Sequence, residues 1–416
     1  MRVLIKGAMI VDPRSTHSGE IQDIFIEEGV IRKIGSNIDV LCDQLIEFEN
    51  LHASVGWFDP CVSFGEPGYE ERETLNHGLL TAAKSGFTTI ILNPNTLPVI
   101  DSHSAIGHIM QLAKNAPCEL HVCGSLTNRM QGTELSPLFD MHRAGAIAFG
   151  DYKKDIGDPY LLKIALQYVQ SFSGTVISFP QIGSLHMNAA LGESDFSLHY
   201  GINGSPEIAE TVAVLRDLEV LHYTKGKLHF QLLSCQRSVE LIEQAKSMGA
   251  AISSSVGLPH LIFSTDDLSD FDANLKQSPP LRTREDINAL AKGLKNGTID
   301  MISCMHEPIN PELKEHDFME LKEGSIGLEA AFGLLNLKFG LHQTIDYLTR
   351  GRIHFGLKPP KIEAHQKANI TIFNPDIIYT FTNEQIHSTS KNCAYINQKI
   401  KGKVYGTMLD DHLTLN

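Results

Sequence analysis

At 416 residues the chain is long enough for one large domain and a smaller one, and its make-up, 42% hydrophobic and 20% charged, is that of a globular protein with a sizeable core. Its 35 basic and 49 acidic side chains leave a net charge of -14, so the surface repels phosphate backbones and anionic headgroups, which excludes nucleic acid and a membrane surface as natural partners. No apolar run approaches the roughly 18 to 20 residues that span a bilayer, and no basic-then-apolar leader opens the chain, so a cytoplasmic protein is expected.

The seven cysteines (Cys42, Cys61, Cys118, Cys123, Cys235, Cys304 and Cys393) are scattered, without a Cys-x-x-Cys pair. That pattern predicts free thiols in a reducing compartment rather than a disulfide framework or a zinc knuckle.

Residues 1–50 read as short strands around Val3 to Ile5, Ile10 to Val11, Ile24 to Ile26 and Ile31 to Ile34, broken by Gly7 and Gly29. Residues 366–416 repeat the style at Asn369 to Phe373, Ala394 to Ile396 and Lys403 to Gly406. Two β-rich ends with nothing similar between them are expected to pair into one small β-sandwich.

In residues 51–365 strand-like and helix-like patterns alternate. Candidate strands end near Pro60, Asn93, Gly124, Phe149, Phe179, Leu232, Ser255 and Met305, and helical periodicity covers 71–85, 102–115, 160–170, 207–221, 238–248 and 284–295. The α/β pattern fits a (β/α)8 TIM barrel, although periodicity alone leaves an open doubly wound sheet as an alternative.

The stretch Phe58-Asp59-Pro60-Cys61-Val62-Ser63-Phe64-Gly65-Glu66-Pro67-Gly68 resembles the first signature of the dihydroorotases, amidohydrolases whose frame runs Asp-x-His-x-His-x-Arg-Glu-Pro-Gly. Asp59 and Glu66-Pro67-Gly68 fit that frame, whereas the two histidines fall on Cys61 and Ser63 and the arginine on Gly65. The resemblance runs on through Asn93-Pro94-Asn95-Thr96-Leu97-Pro98, Ala144 to Phe149 with Asp151, Ser278-Pro279-Pro280-Leu281-Arg282, Ile299-Asp300 and Gly327-Leu328-Glu329. It implies the amidohydrolase type of barrel with a β-sandwich from both chain ends.

Carried over residue by residue, the resemblance puts the family's metal positions at Cys61, Ser63, Asp151, Phe179 and Leu232, its general base at Met305, and its substrate contacts at Asn95, Gly65, Ser278 and Ile309. Zinc needs about three protein ligands with lone pairs, at roughly 2.0 to 2.3 Å. Phe179 and Leu232 have none, Met305 has a soft thioether and Ser63 a neutral hydroxyl; Asp151 keeps a chemically competent side chain. With the ion goes the activated water. No metal or other cofactor and no catalytic residue is therefore expected: the chain is similar to a pseudo-dihydroorotase whose apolar replacements repack the barrel mouth.

Inactive members of the family associate with aspartate carbamoyltransferase, so a structural partnership with that enzyme in pyrimidine biosynthesis, together with homo-oligomer formation, is implied. The alternative is an active cyclic amidohydrolase with zinc in a site remodelled from Cys61, Asp151, Cys304 and His306. Simpler roles are open to the same residues: buried thiols for Cys61 and Cys304, an acceptor of backbone or Tyr152 hydrogen bonds for Asp151, a turn cap for Asn95, and a solvated turn for Lys153 and Lys154. His229 and His260 match family histidines that are not ligands, and Trp57 reads as core or domain contact.

Overall fold

The N-terminal alternation forms β1 (Arg2–Val11), β2 (Ile21–Glu27), β3 (Val30–Gly35) and β4 (Gln44–Ile46) in the structure, a computed structural model that describes every residue except Asn188, Ser269 and Asp270. The β2–β3 hairpin turns at Glu28 and Gly29, whose φ angles of 51° and 71° are the left-handed pair that matches strand twist in a two-residue loop.

β5 (His52–Val55) runs parallel to β1 and antiparallel to β16 (Asn369–Thr380), which is followed by β17 (Lys399–Leu409) and β18 (His412–Leu415). Both chain ends thus build one mixed sheet of order β18-β17-β16-β5-β1-β2-β3, with β4 on β1. Ile5, Ile10, Ile24, Ile370 and Ile372 belong to a core of this sheet's own.

The strand expected at Ala394 to Ile396 is absent: these residues lie in turns. Their apolar character serves anchoring instead, with Tyr395 fully buried and stacked on Phe263 at 5.7 Å, and with the Ala394 N–H donating to Ser325 Oγ at 2.9 Å.

The barrel strands are β6 (Trp57–Val62), β7 (Phe87–Leu92), β8 (Glu119–Gly124), β9 (Ala146–Phe149), β10 (Thr175–Ser178), β13 (Leu228–Leu233), β14 (Ile252–Gly257) and β15 (Met301–Ser303). A short parallel pair, β11 (Leu191–Gly192) and β12 (Gly204–Ser205), lies in the connection after β10. Neighbouring barrel strands are all parallel and follow chain order, which rules out the doubly wound alternative, where the order reverses at a switch point. Their side chains are buried on both faces, hence runs such as Phe87-Thr88-Thr89-Ile90-Ile91-Leu92 without alternation.

Asp59 ties β6 to β15. Its carboxylate accepts from Cys61 N at 2.9 Å, Ser303 Oγ at 2.9 Å and Cys304 N at 2.7 Å, while Ser63 N donates to His306 O at 2.9 Å. The Asp shared with the dihydroorotase signature is thus a structural clasp.

Outside lie the helices Leu75–Lys84, His103–Leu112, Leu138–Ala144, Pro159–Val169, Ile208–Thr224, Gln236–Ser247, Arg284–Asn296 and Leu328–Phe339. Several start where a side chain satisfies the free N–H groups of the first turn: Thr74 accepts from His77 N, and Thr283 and Asp286 form a capping box. Among the described residues no helix is long and apolar enough to cross a membrane.

At the N-terminal end of the barrel, buried Arg352 donates to Gly56 O at 2.6 Å and Thr89 Oγ1 at 2.7 Å. Trp57 stacks on Phe332 at 4.7 Å and meets Phe373 of the terminal sheet at 5.9 Å, the domain contact its position suggested.

Candidate functional site

Amidohydrolase-type barrels carry their chemistry at the C-terminal ends of the strands. There Cys61 on β6, Phe179 after β10, Leu232 on β13 and Met305 after β15 converge with Met130 and Tyr152 into one buried cluster, with Val99 packed against it. Four of the positions that the family resemblance assigned to the metal and the base, those of Cys61, Phe179, Leu232 and Met305, thus lie side by side. What fills the site is hydrocarbon and sulfur.

Its polar neighbours are occupied elsewhere. Ser63 donates to Asn95 Oδ1 at 3.0 Å and accepts from Asn93 Nδ2 at 3.0 Å, and that same amide lies 3.4 Å from Cys61 Sγ. Burial and the nearby Asp59 charge push the Cys61 thiol up to about 12, so it keeps its proton at neutral pH. Asp151 accepts from Thr127 N at 3.0 Å, from Thr127 Oγ1 and from Ser125 Oγ at 3.4 Å; backbone is among its donors as expected, whereas the Tyr152 hydroxyl goes to Glu307 instead, and burial raises the Asp151 carboxyl above the usual range.

The backbone of the site is unusual. Leu232, Met305, Tyr152 and Met130 adopt left-handed conformations with φ of 60°, 52°, 56° and 52°. For L-residues that conformation costs roughly 1–2 kcal/mol each, and such residues persist where the surroundings over-determine them, most often at functional sites. Four of the six cluster residues are held this way.

Lys153 departs from expectation. Rather than sitting in a solvated turn, its side chain is only 8% exposed and its ammonium lies 2.6 Å from Glu307 Oε2, to which Tyr152 OH also donates at 3.0 Å. Burial alone would lower the Lys153 pKa; the Glu307 carboxylate outweighs it and raises it. Lys154 donates to Met130 O at 3.1 Å.

At Gly65 the chain turns back on itself: a Cβ there would lie 1.8 Å from the Tyr69 carbonyl oxygen, so the loop has no room for any side chain where the family carries arginine. Ile309 is fully buried and its N–H donates to Asn392 Oδ1 at 3.1 Å, while Ser278 is nearly buried in the loop before Pro279. The segment carrying Asn392 crosses the barrel mouth, where Thr389 N donates to Glu73 Oε2 at 2.9 Å and Ser388 N to Glu329 Oε1 at 3.0 Å.

The rival donor set does not gather. His306 Nδ1 accepts from Gly327 N at 3.3 Å and Leu328 N at 3.5 Å, Phe64 meets its ring edge-on at 5.8 Å, and burial lowers its pKa; burial likewise holds the Cys304 thiol well above its ordinary value. Among the described residues no three His, Cys, Asp or Glu side chains stand where they could hold a metal ion.

His229, between Ser253 Oγ at 2.9 Å and Ser255 Oγ at 3.1 Å, is lowered by burial to about 3, and His260, donating to Pro279 O at 2.8 Å, to about 4. Both are neutral parts of the wall. The residues present do not fit zinc.

The fold is that of the amidohydrolases. L-Hydantoinase (dihydropyrimidinase) from Arthrobacter aurescens superposes with a TM-score of 0.85 at 22% identity, covering 100% of this chain and 96% of that one. D-Hydantoinase (dihydropyrimidinase) from Thermus sp. superposes with a TM-score of 0.82 at 19% identity.

Sequence narrows the class further. The Dihydro-orotase-like family model matches residues 55–236. Dihydroorotase from Acetivibrio thermocellus is 33% identical over 423 residues, covering 99% of each chain, and dihydroorotase from Ruminiclostridium cellulolyticum is 31% identical over 421 residues, covering 98% of this chain and 97% of its own. This chain belongs to the dihydroorotase-like family.

Proposed function

We propose that the chain is a catalytically silent dihydroorotase-like protein of pyrimidine biosynthesis, serving in the cytoplasm as a structural partner of aspartate carbamoyltransferase. One observation carries the reading: Cys61, Phe179, Leu232 and Met305 share a buried apolar cluster with Met130 and Tyr152. Opening a cyclic amide requires an activated water, and a metal ion or a positioned base supplies it. Here two of the ligand positions lack lone pairs, the thiol at a third stays protonated, and a thioether stands at the base position.

The Lys153–Glu307 pair at the same mouth consumes charges that an anionic substrate would need. With the reaction centre lost and the scaffold complete, the useful part of the molecule is its outer surface, which fits the role of silent family members beside aspartate carbamoyltransferase. The seven free cysteines, six of them buried, suit a reducing compartment.

The test is metal analysis of the purified protein, turnover assays with dihydroorotate and carbamoyl-aspartate, and co-sedimentation with aspartate carbamoyltransferase. Expected are no stoichiometric zinc, no turnover and a stable complex. Stoichiometric zinc with turnover overturns the silence, and separate sedimentation overturns the partnership.

A further inference from the structure

The helix Ile208–Thr224 buries Ala209, Ala213, Val214 and Leu221 against the barrel. Its opposite side carries Ile208, Val212, Leu215, Glu219 and Tyr223, a spacing of four and three that forms one stripe on a 3.6-residue period. A lone surface helix ordinarily shows charge there; here the four apolar members are 54%, 45%, 47% and 70% exposed, in chain order. Exposed Tyr160 and Met248 extend the patch on neighbouring elements. Leu215 and Met248 also wall a groove of about 660 Å³ against the helix Gln236–Ser247. Contiguous exposed apolar surface of this kind marks an association site.

We propose that this face joins two copies of the chain about a two-fold axis beside Leu215. A two-fold contact must be complementary to itself, and the stripe is: 208 and 223, like 212 and 219, are equidistant from a point between 215 and 216. Antiparallel pairing lays Ile208 on the partner's Tyr223 and Val212 on the stem of the partner's Glu219, and Leu215 meets its own copy.

The ends agree in charge. Glu207 precedes the helix, whereas Lys225 and Lys227 follow it, so opposite signs meet at both ends of the pair. Lys163, 5.2 Å from the Tyr160 ring and 5.8 Å from that of Tyr223, adds a cation at the same end. On a chain of net charge -14 this is a face on which two copies attract rather than repel. The pairing is independent of whether the barrel is catalytic.

Sedimentation velocity at micromolar concentration tests it. The wild type is expected to run as a dimer. Leu215→Arg, which sets two guanidinium groups against each other at the axis, is expected to weaken association by roughly 100-fold or more while leaving the melting curve of the fold in place, because the site is half exposed. Leu215→Cys is expected to give a covalent dimer on oxidation, which a merely structural role for Leu215 does not produce. A monomeric wild type overturns the proposal, as does a dimer that survives Leu215→Arg. A monomer that binds aspartate carbamoyltransferase through this face, losing it on Leu215→Arg, likewise overturns the pairing of copies.

Discussion

Leu232 offers a direct measurement of the strain at the barrel mouth. It is 1% exposed, so cutting it to Ala costs about 2–5 kcal/mol in lost burial and cavity. The further step from Ala to Gly separates packing from backbone. At an ordinary strand position that step costs roughly 1.5 kcal/mol, from one more buried carbon at about 0.8 and about 0.5–1 of glycine's extra chain entropy.

At Leu232, with φ of 60°, glycine also recovers the roughly 1–2 kcal/mol penalty that Ala still pays. The two contributions nearly cancel. Ala and Gly variants at 232 are therefore expected to be about equally stable, while the same pair at Ile177, buried in β10 with ordinary strand backbone, differs by about 1.5 kcal/mol in favour of Ala. Urea unfolding followed through Trp57, the single, fully buried tryptophan, reads all four variants. An Ala-to-Gly cost at 232 as large as at 177 would refute the strain argument.

Glu307→Ala leaves Lys153 buried without its carboxylate and is expected to cost about 3–5 kcal/mol, whereas Lys153→Met combined with Glu307→Leu costs less than Glu307→Ala alone; a double variant as unstable as the single one would remove the ion pair from the account. Burial holds His229 at about 3 and His260 at about 4 against an ordinary 6.5, so between those values the unfolded chain binds the protons. The stability they contribute is complete above pH 6.5 and drains away as pH falls toward 4; denaturation midpoints across pH 4–8 should show this slope, and His229→Gln should flatten it. Of the seven free cysteines only Cys42 is not buried, so an aromatic disulfide reagent should titrate one thiol in the folded protein and seven in denaturant; rapid reaction of several thiols would mean the core is open.

The barrel was legible because strand-like and helix-like patterns alternate through residues 51–365; the caps at Thr74, Ser102 and Thr283 are a further signal that periodicity does not use. The meeting of Cys61, Phe179, Leu232 and Met305 was also legible, since flanking motif residues fix the alignment of each strand end. Other features depend on information that local pattern does not hold. Lys153 finds Glu307 across 154 positions of sequence, and nothing beside Lys153 advertises burial. Tyr395 carries the composition of a strand but is a single anchoring side chain, and the difference lies in what receives its neighbours' backbone hydrogen bonds. Left-handed φ at a leucine or methionine has no signature in residue type at all.

The loop at Gly65 limits which substitutions the molecule can accept. With the Tyr69 carbonyl 1.8 Å from where a Cβ would stand, an arginine at 65 cannot be introduced by altering one codon; main chain from 65 to 73 has to be rebuilt first. Histidines placed singly at 179 or 232 would meanwhile enter a buried apolar cluster that penalises each polar ring. A single glycine, closed in by main chain on one side, thus decides which side chains this loop can carry.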